Sequence, residues 1–324
     1  MDNNIGVRQG CVMSPTLTNI YLEELITQIR LCGRGVKIGD NRLGCLAYAD
    51  DVILMAEKKE HMEEILQTVD RYGRNWNMKF SARKCKVIQI NDEKDNQWVL
   101  GNNVLEVVKK YTYLGMEVSH EGVGGERQRK INEGKTRSAA GMILNGGSRV
   151  INRYEVGRSL WKGMAVPYCL YGSELITFTE KDLHHFEKVQ DMMGRWALGA
   201  PKCTGLEAIR GDMGWSSFRE RITKGKLTFI KRVEGLEDRW AKKVMMKNRP
   251  GSMWRKEIKR WKRKENLEAD WDRLKVKDIK KRIETNGRYR WRTGIEKKST
   301  LKWYTRKQQP EKINWHVGDW GASC

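Results

Sequence analysis

No two of the seven cysteines, Cys11, Cys32, Cys45, Cys85, Cys169, Cys203 and Cys324, stand in C-x-x-C spacing, and their number is odd. That argues against a disulfide framework and against a zinc module within the chain, and points to a reducing compartment. No apolar run comes near the ~18 residues of a membrane span, and no signal-peptide pattern precedes Gly6. The expectation is a soluble intracellular protein, cytoplasmic or nuclear, with no membrane partner and no secretion. There is no internal repeat and no long low-complexity linker.

Acidic residues are scarce in one stretch only. Residues 1–120 hold 16 Lys/Arg and 16 Asp/Glu, residues 121–240 hold 21 against 15, and residues 241–310 hold 25 against 8. The formal net charge of +22 is therefore concentrated near the C-terminus, where eight tryptophans (Trp240, Trp254, Trp261, Trp271, Trp291, Trp303, Trp315 and Trp320) are interleaved with the cations. A solubilising lysine surface would be more evenly spread. A concentrated excess suits a polyanion, most often nucleic acid. Most of the tryptophans are expected in core or interhelical packing.

The 324 residues allow two or three domains. A Gly-rich turn, Gly6-Val7-Arg8-Gln9-Gly10, is followed by Ser14-Pro15, which reads as a helix N-cap with Pro at the first helical position. Leu17, Ile20, Tyr21, Leu25 and Ile29 then recur at helical spacing, and Gly33 and Gly35 end the helix. Cys45–Tyr48 and Val52–Met55 flank Ala49-Asp50-Asp51 and predict a hairpin with acids at its tip. Met62, Ile65, Leu66, Val69 and Tyr72 predict a second helix; residues 86–90, Val104–Val108 and Tyr113–Val118 predict strands. From Arg127 the pattern is helical, near 126–144, 149–170, 180–197 and 216–236, and the basic tail reads as short helices interrupted at Pro250-Gly251, Gly287 and Pro310.

An Asp-Asp pair in a turn has an ordinary explanation, because aspartate bonds its own backbone there. It also has a chemical one. Carboxylate oxygens suit Mg²⁺ or Mn²⁺, with substrate phosphates completing the shell. Adjacent residues on a strand point to opposite faces, so Asp50 is expected to ligate and Asp51 to assist.

The surrounding residues favour the second explanation. Gly6-Val7-Arg8-Gln9-Gly10-Cys11-Val12-Met13-Ser14-Pro15, with Asn19, Tyr21 and Glu23, resembles motif B of the reverse transcriptases. Leu46-Ala47-Tyr48-Ala49-Asp50-Asp51 resembles motif C; Lys84-Cys85-Lys86 after Asn77-Met78-Lys79-Phe80 is similar to motif D; Tyr113-Leu114-Gly115 is similar to motif E. The Arg-Gln-Gly-Cys opening, the Tyr-Leu-Gly element and the later Tyr171-Gly172-Ser173-Glu174 resemble the enzymes of LINE-type, non-LTR retrotransposons.

The resemblance implies an α+β fold: a partial right-hand polymerase palm, an antiparallel sheet with helices, over 1–120, a helical thumb over 121–236, and a basic Trp-rich C-terminal region over 237–324. It implies RNA-directed DNA polymerisation by nucleotidyl transfer, with RNA template and DNA primer as partners. Asp50 and Asp51 would hold Mg²⁺ (or Mn²⁺). Arg8, Gln9 and Gly10 would meet nucleotide and template. Lys84, with Lys86 as the alternative, would donate a proton to the leaving pyrophosphate, and Tyr113, Leu114 and Gly115 would grip the primer. The family's second essential aspartate belongs to a motif A strand upstream of motif B, and no aromatic-x-x-x-Asp strand surrounds Asp2. The expectation is therefore an N-terminally truncated fragment, inactive alone and missing an N-terminal polymerase portion. The alternative is a non-catalytic nucleic-acid-binding remnant or a pseudogene product.

Overall fold

The computed structural model describes residues 10–91, 96–120, 122–123, 125–147, 152–237, 240–247, 251–301 and 304. It forms two compact units, Met1–Val123 with Leu236–Arg249 and Gly124–Gly235 with Pro250–Cys324. Helices and small sheets together make an α+β protein.

In the first unit, helix α1 (Ser14–Leu31) carries Pro15 in its first turn. Its N-cap is Met13, not Ser14: Met13 already has φ −80° and ψ −20°, so Ser14 lies inside the helix and no side chain caps it. Burial falls on Leu22, Leu25 and Ile29. Leu17 and Ile20 are exposed, because at ~100° per residue they project almost opposite to Leu22. The predicted stripe was thus right in its second half only.

Strands β1 (Val36–Ile38) and β2 (Asn41–Leu43) form a hairpin, entered through Gly35 at φ +130°. A Cβ there would stand 2.6 Å from the Leu43 carbonyl carbon, so only glycine fits. Strands β3 (Cys45–Tyr48) and β4 (Asp51–Leu54) pair antiparallel, with Tyr48 opposite Asp51. Helix α2 (Lys59–Asn75) buries Ile65, Leu66, Val69 and Tyr72 as the periodicity predicts. The Tyr72 hydroxyl donates to the Tyr21 carbonyl, and the Tyr21 hydroxyl to that of Trp76. These bonds tie α1 to α2 above a core of Leu25, Ile29, Ile65, Trp98 and Leu105.

The remaining strands are β5 (Lys86–Val87), β6 (Trp98–Leu100), β7 (Asn103–Val107), β8 (Lys110–Tyr113), β9 (Met116–Ser119) and β10 (Gly122–Val123). They form two three-stranded sheets, ordered β5-β7-β6 and β10-β9-β8. One antiparallel sheet was expected; four small sheets are present among the described residues, and β5 runs parallel to β7. The predicted strand 86–90 shrinks to Lys86–Val87. Tyr113–Val118 is not one strand: Leu114-Gly115 turns the chain back so that Tyr113 pairs with Met116. A two-residue turn between apolar strands leaves the hydrophobic pattern unbroken, which hides it from a periodicity reading.

The second unit is helical. Helix α3 (Glu126–Gly147) runs through the Asn145-Gly146-Gly147 sequence read as a break. Helix α4 (Arg153–Leu160) leads through a π turn at Trp161–Ala165 into α5 (Val166–Leu170). Pro167, in the first turn of α5, has no N–H and crowds the preceding turn, the kind of defect that a widened turn absorbs. Helix α6 (Glu180–Leu198) opens with a reciprocal Thr179–Asp182 capping box. Then follow α7 (Leu206–Met213), unmarked in the sequence reading, and α8 (Phe218–Glu234). Phe186 and Phe218 stack at 5.3 Å, with Trp161, wholly buried, against Phe218. Gln190 Oε1 accepts from Trp161 Nε1 at 3.2 Å and from Arg221 Nη1 at 2.5 Å. Burial pushes the Arg221 guanidinium down to about 10.

Helix α9 (Trp240–Lys247) belongs to the first unit and packs on β1. Helices α10 (Met253–Lys264) and α11 (Val276–Glu296) pack on α8. The division at 237 follows charge, whereas the packing joins 250–301 to the helices of 124–235. Nor is α11 short: it passes Gly287 without a break, because that glycine makes room for the Glu220 carboxylate, 2.3 Å from where a Cβ would stand. Among the described tail tryptophans none is fully exposed, and Trp254, Trp271 and Trp291 donate to Glu174 O, Glu234 and Glu207 O. No described helix is long and apolar enough to cross a membrane.

Candidate active site

The β3–β4 hairpin closes through Ala49 and Asp50 alone. A two-residue closure needs positive φ at its first position for the right-handed strand twist to match, and Ala49 adopts φ +52°. Asp50 is therefore a turn residue, while Asp51 is the first residue of β4. Only Asp51 is in a strand, so the two acids do not alternate between opposite faces of one strand as the sequence predicts. Both are exposed, as is Tyr48 at 66%. Among the described residues, no third Asp, Glu, His or Cys joins them in a cluster of metal-binding size.

The β8–β9 turn repeats this chemistry. Leu114 and Gly115 take φ +46° and +73°, and Tyr113 precedes them at the end of β8. Burial pushes the Tyr113 phenol above its ordinary value, and the nearby Asp51 carboxylate raises it further. Asp51 therefore acts on Tyr113 through its charge, an influence that no local spacing in the sequence signals.

Other candidate residues are less closely gathered. Lys84 is exposed in a turn whose backbone N–H donates to Ser81 O at 2.9 Å. No hydrogen bond or ion pair joins it to the acidic hairpin among the described residues. Lys86, the alternative, is held by Glu106 across the β5–β7 pairing. Gly10 is exposed at φ +83° with open space around it, whereas Arg8 and Gln9 lie outside the described residues. Burial raises the Cys45 and Cys85 thiols, which disfavours their thiolate forms.

The family described as "Reverse transcriptase (RNA-dependent DNA polymerase)" matches residues 3–118, the segment that contains both hairpins. Over these residues, about a third of the chain, the sequence is similar to the reverse transcriptases. Its relatives are proteins of retrotransposable and mobile elements. The chain is 34% identical over 86 residues to a Retrovirus-related Pol polyprotein from type-1 retrotransposable element R2 of Popillia japonica, covering 26% of this chain and 12% of that protein. It is 28% identical over 85 residues to the R2 polyprotein of Nasonia vitripennis, covering 26% and 8%. Similarity to the RNA-directed DNA polymerase from mobile element jockey of Drosophila melanogaster is lower, 19%, but extends over 252 residues, 74% of this chain and 27% of that one. The chain therefore spans well under a third of each of these relatives.

Proposed function

We propose that the first unit is the later part of a polymerase palm, acting in RNA-directed DNA synthesis on an RNA template and a DNA primer. The observation that supports this reading is the exposed Asp50-Asp51 pair at the tip of a two-residue hairpin, inside the segment that matches the reverse-transcriptase family. Two exposed carboxylates are a hard-oxygen donor set suited to Mg²⁺ or Mn²⁺, and too few for an all-protein cage, as expected where substrate phosphates supply further oxygens. When bound, the cation would supply charge stabilisation at the phosphate undergoing transfer. Asp50, free of the strand pairing, would be the principal ligand and Asp51 its neighbour. Tyr113, Leu114 and Gly115 would hold the primer end against this carboxylate pair. Arg8, Gln9 and Gly10 would approach nucleotide and template, and Lys84, without a carboxylate partner among the described residues, is favoured over the ion-paired Lys86 as proton donor.

The β3–β4 ribbon has no third strand among the described residues. A further carboxylate-bearing strand along this ribbon would complete both sheet and site. On this reading the 324 residues alone do not extend a primer. Primer extension with Mg²⁺ or Mn²⁺ tests it: a template-dependent product that disappears in Asp50→Asn would refute the claim of inactivity while confirming the site.

The helices of 121–236 would serve as thumb, and the tail as a nucleic-acid surface. Lys277, Lys281, Arg288 and Arg292 lie in one ~60° stripe of α11. All four are exposed and without an ion-pair partner within 4 Å among the described residues, beside Tyr289 at 71% exposure. This stripe also favours a second reading, nucleic-acid binding without catalysis. The extension assay together with a binding assay separates the two.

A further inference from the structure

Five cations converge on one open cleft of about 710 Å³ in the helical unit: Arg137 from α3, Arg153 from α4, Lys188 and Arg195 from α6, and Lys202 from the segment that follows. No acid lines it. None of the five has a carboxylate within 4 Å among the described residues, although carboxylates elsewhere in this unit are widely paired, as in Arg210–Asp191 and Arg219–Glu180. Like charges gathered without counter-charge raise the local potential and attract an anion.

A second observation is independent of the charge count. Arg195 Nε is buried and has no hydrogen-bond partner, while its Nη2 reaches Thr204 O only at 3.5 Å. A buried donor left unsatisfied is free to bond a water or a ligand atom that reaches it. Arg137 Nε, for its part, donates to His185 Nε2 at 3.2 Å. That bond needs His185 neutral, and burial together with Arg137 and Lys188 works against its protonation, with Glu133 and Asp182 opposing. His185 thus meets Arg137 as an acceptor at the wall of the cleft.

The lining is not purely polar. Met192 and Trp196 reach the cleft from successive turns of α6, with Val189 one turn earlier. An apolar aromatic surface ringed by cations suits a ligand with both a flat π-face and phosphates. A duplex hides its base faces, and an unpaired strand does not. We propose that this cleft binds an unpaired nucleic-acid strand, with a base against Trp196 and Met192 and its phosphates on Arg137, Arg153, Lys188, Arg195 and Lys202. The identification of the ligand as nucleic acid rests on the reverse-transcriptase reading; the anion site itself does not. The site is separate from the α11 stripe and from the acidic hairpin in its residues.

The test uses the full chain and fluorescein-labelled 12-nucleotide single strands of RNA and of DNA, with a 12-base-pair duplex as comparison, read by anisotropy. Arg137→Glu/Lys188→Glu alters two exposed side chains, and Arg153→Glu/Lys202→Glu alters two others, so that one pair remains informative should the other perturb folding. Each double variant is expected to bind the single strands at least tenfold more weakly, with the salt slope smaller by roughly 1 to 1.5 and duplex binding within twofold of wild type. Weaker binding of RNA alone, or of DNA alone, identifies which strand the cleft takes. Single-strand affinity within twofold of wild type in a folded variant overturns the proposal, as does equal weakening of strand and duplex. Tripolyphosphate that displaces the strand at equal concentration would show a small-polyphosphate site and overturn it also. If the wild-type chain binds no nucleic acid, both this inference and the binding role of the tail fall, while the metal reading of Asp50 and Asp51 stands or falls separately.

Discussion

Ala49 and Leu114 hold their backbones at φ +52° and +46°, where an L side chain crowds its own carbonyl. Both sit in two-residue turns, one before Asp50 and the other after Tyr113. Strain of this kind persists where the surroundings impose it, and it gathers at functional sites. Replacing Ala49 with glycine should relieve about 1–2 kcal/mol and lose part of that to unfolded-chain entropy. A net gain of roughly 0.5–1 kcal/mol is expected in urea unfolding followed by first-unit probes; a loss would show that Ala49 is not strained. Gly35→Ala should cost about 2–3 kcal/mol, since both its φ and the Leu43 backbone oppose a Cβ; an unchanged midpoint would contradict this. Asp51 and Tyr113 can be tested together. Tyr113 has a raised phenol, so it contributes stability that is present below pH 10 and lost as the pH rises through its folded value. Asp51→Asn should lower that value toward the ordinary one without reaching it, because burial remains the larger cause. Ultraviolet titration against a Tyr113→Phe control would show it, and an unmoved titration would mean that the two residues are not neighbours. The acidic tip was legible in the sequence because its residues are contiguous. The influence of Asp51 on Tyr113 was not, because it acts between two hairpins far apart in the sequence.

Elements differ in how plainly their sequences announce them. Helix α2 is legible throughout because one face is buried along its whole length, from Ile65 to Tyr72. The first turns of α1 are not, since Leu17 and Ile20 are apolar yet exposed, and helical spacing cannot tell a buried face from an exposed one. Gly287 misled for a different reason: its small size serves the close approach of α8 and α11, not a break in either. The same two-sided packing places a buried ion pair between α8 and α10. Lys226 Nζ lies 2.6 Å from Glu257 Oε2 and donates to Ile176 O, and the two side chains are 0% and 3% exposed. Burial lowers the Lys226 ammonium and raises the Glu257 carboxyl, and each partner opposes the other's shift. Lys226→Met should leave Glu257 buried without its partner and cost about 3–5 kcal/mol. Lys226→Met with Glu257→Leu should recover much of that in urea unfolding, and a double variant no more stable than the single would contradict the account. At Gly194, a Cβ would stand 2.5 Å from the buried Ile209. Gly194→Ala should therefore destabilise by about 1–2 kcal/mol, overpacking outweighing the gain in helix propensity.

Across the whole molecule, charge and chemistry are divided between units. The acidic hairpin belongs to the first, and the unpaired cations of α11 belong to the second. Segment charge made the tail visible in the sequence. It could not reveal the cationic cleft, whose residues lie between 137 and 202 in a region of only modest net charge and are gathered by folding. Nucleic-acid affinity of the chain should fall steeply with salt, and charge reversal at Lys277, Lys281, Arg288 and Arg292 should flatten that dependence. Binding that hardly weakens from low to high salt would remove phosphate contact as its source. The central claim remains that Asp50 and Asp51 hold a divalent cation beside Tyr113. Iron-directed backbone cleavage tests it most directly: Fe²⁺ in place of Mg²⁺, with ascorbate and peroxide, and the cut sites mapped along the chain by mass spectrometry. The account predicts cuts around Tyr48–Val52 and Tyr113–Gly115 that vanish in Asp50→Asn/Asp51→Asn. Cuts that survive this double substitution, or that fall in neither hairpin, would contradict it.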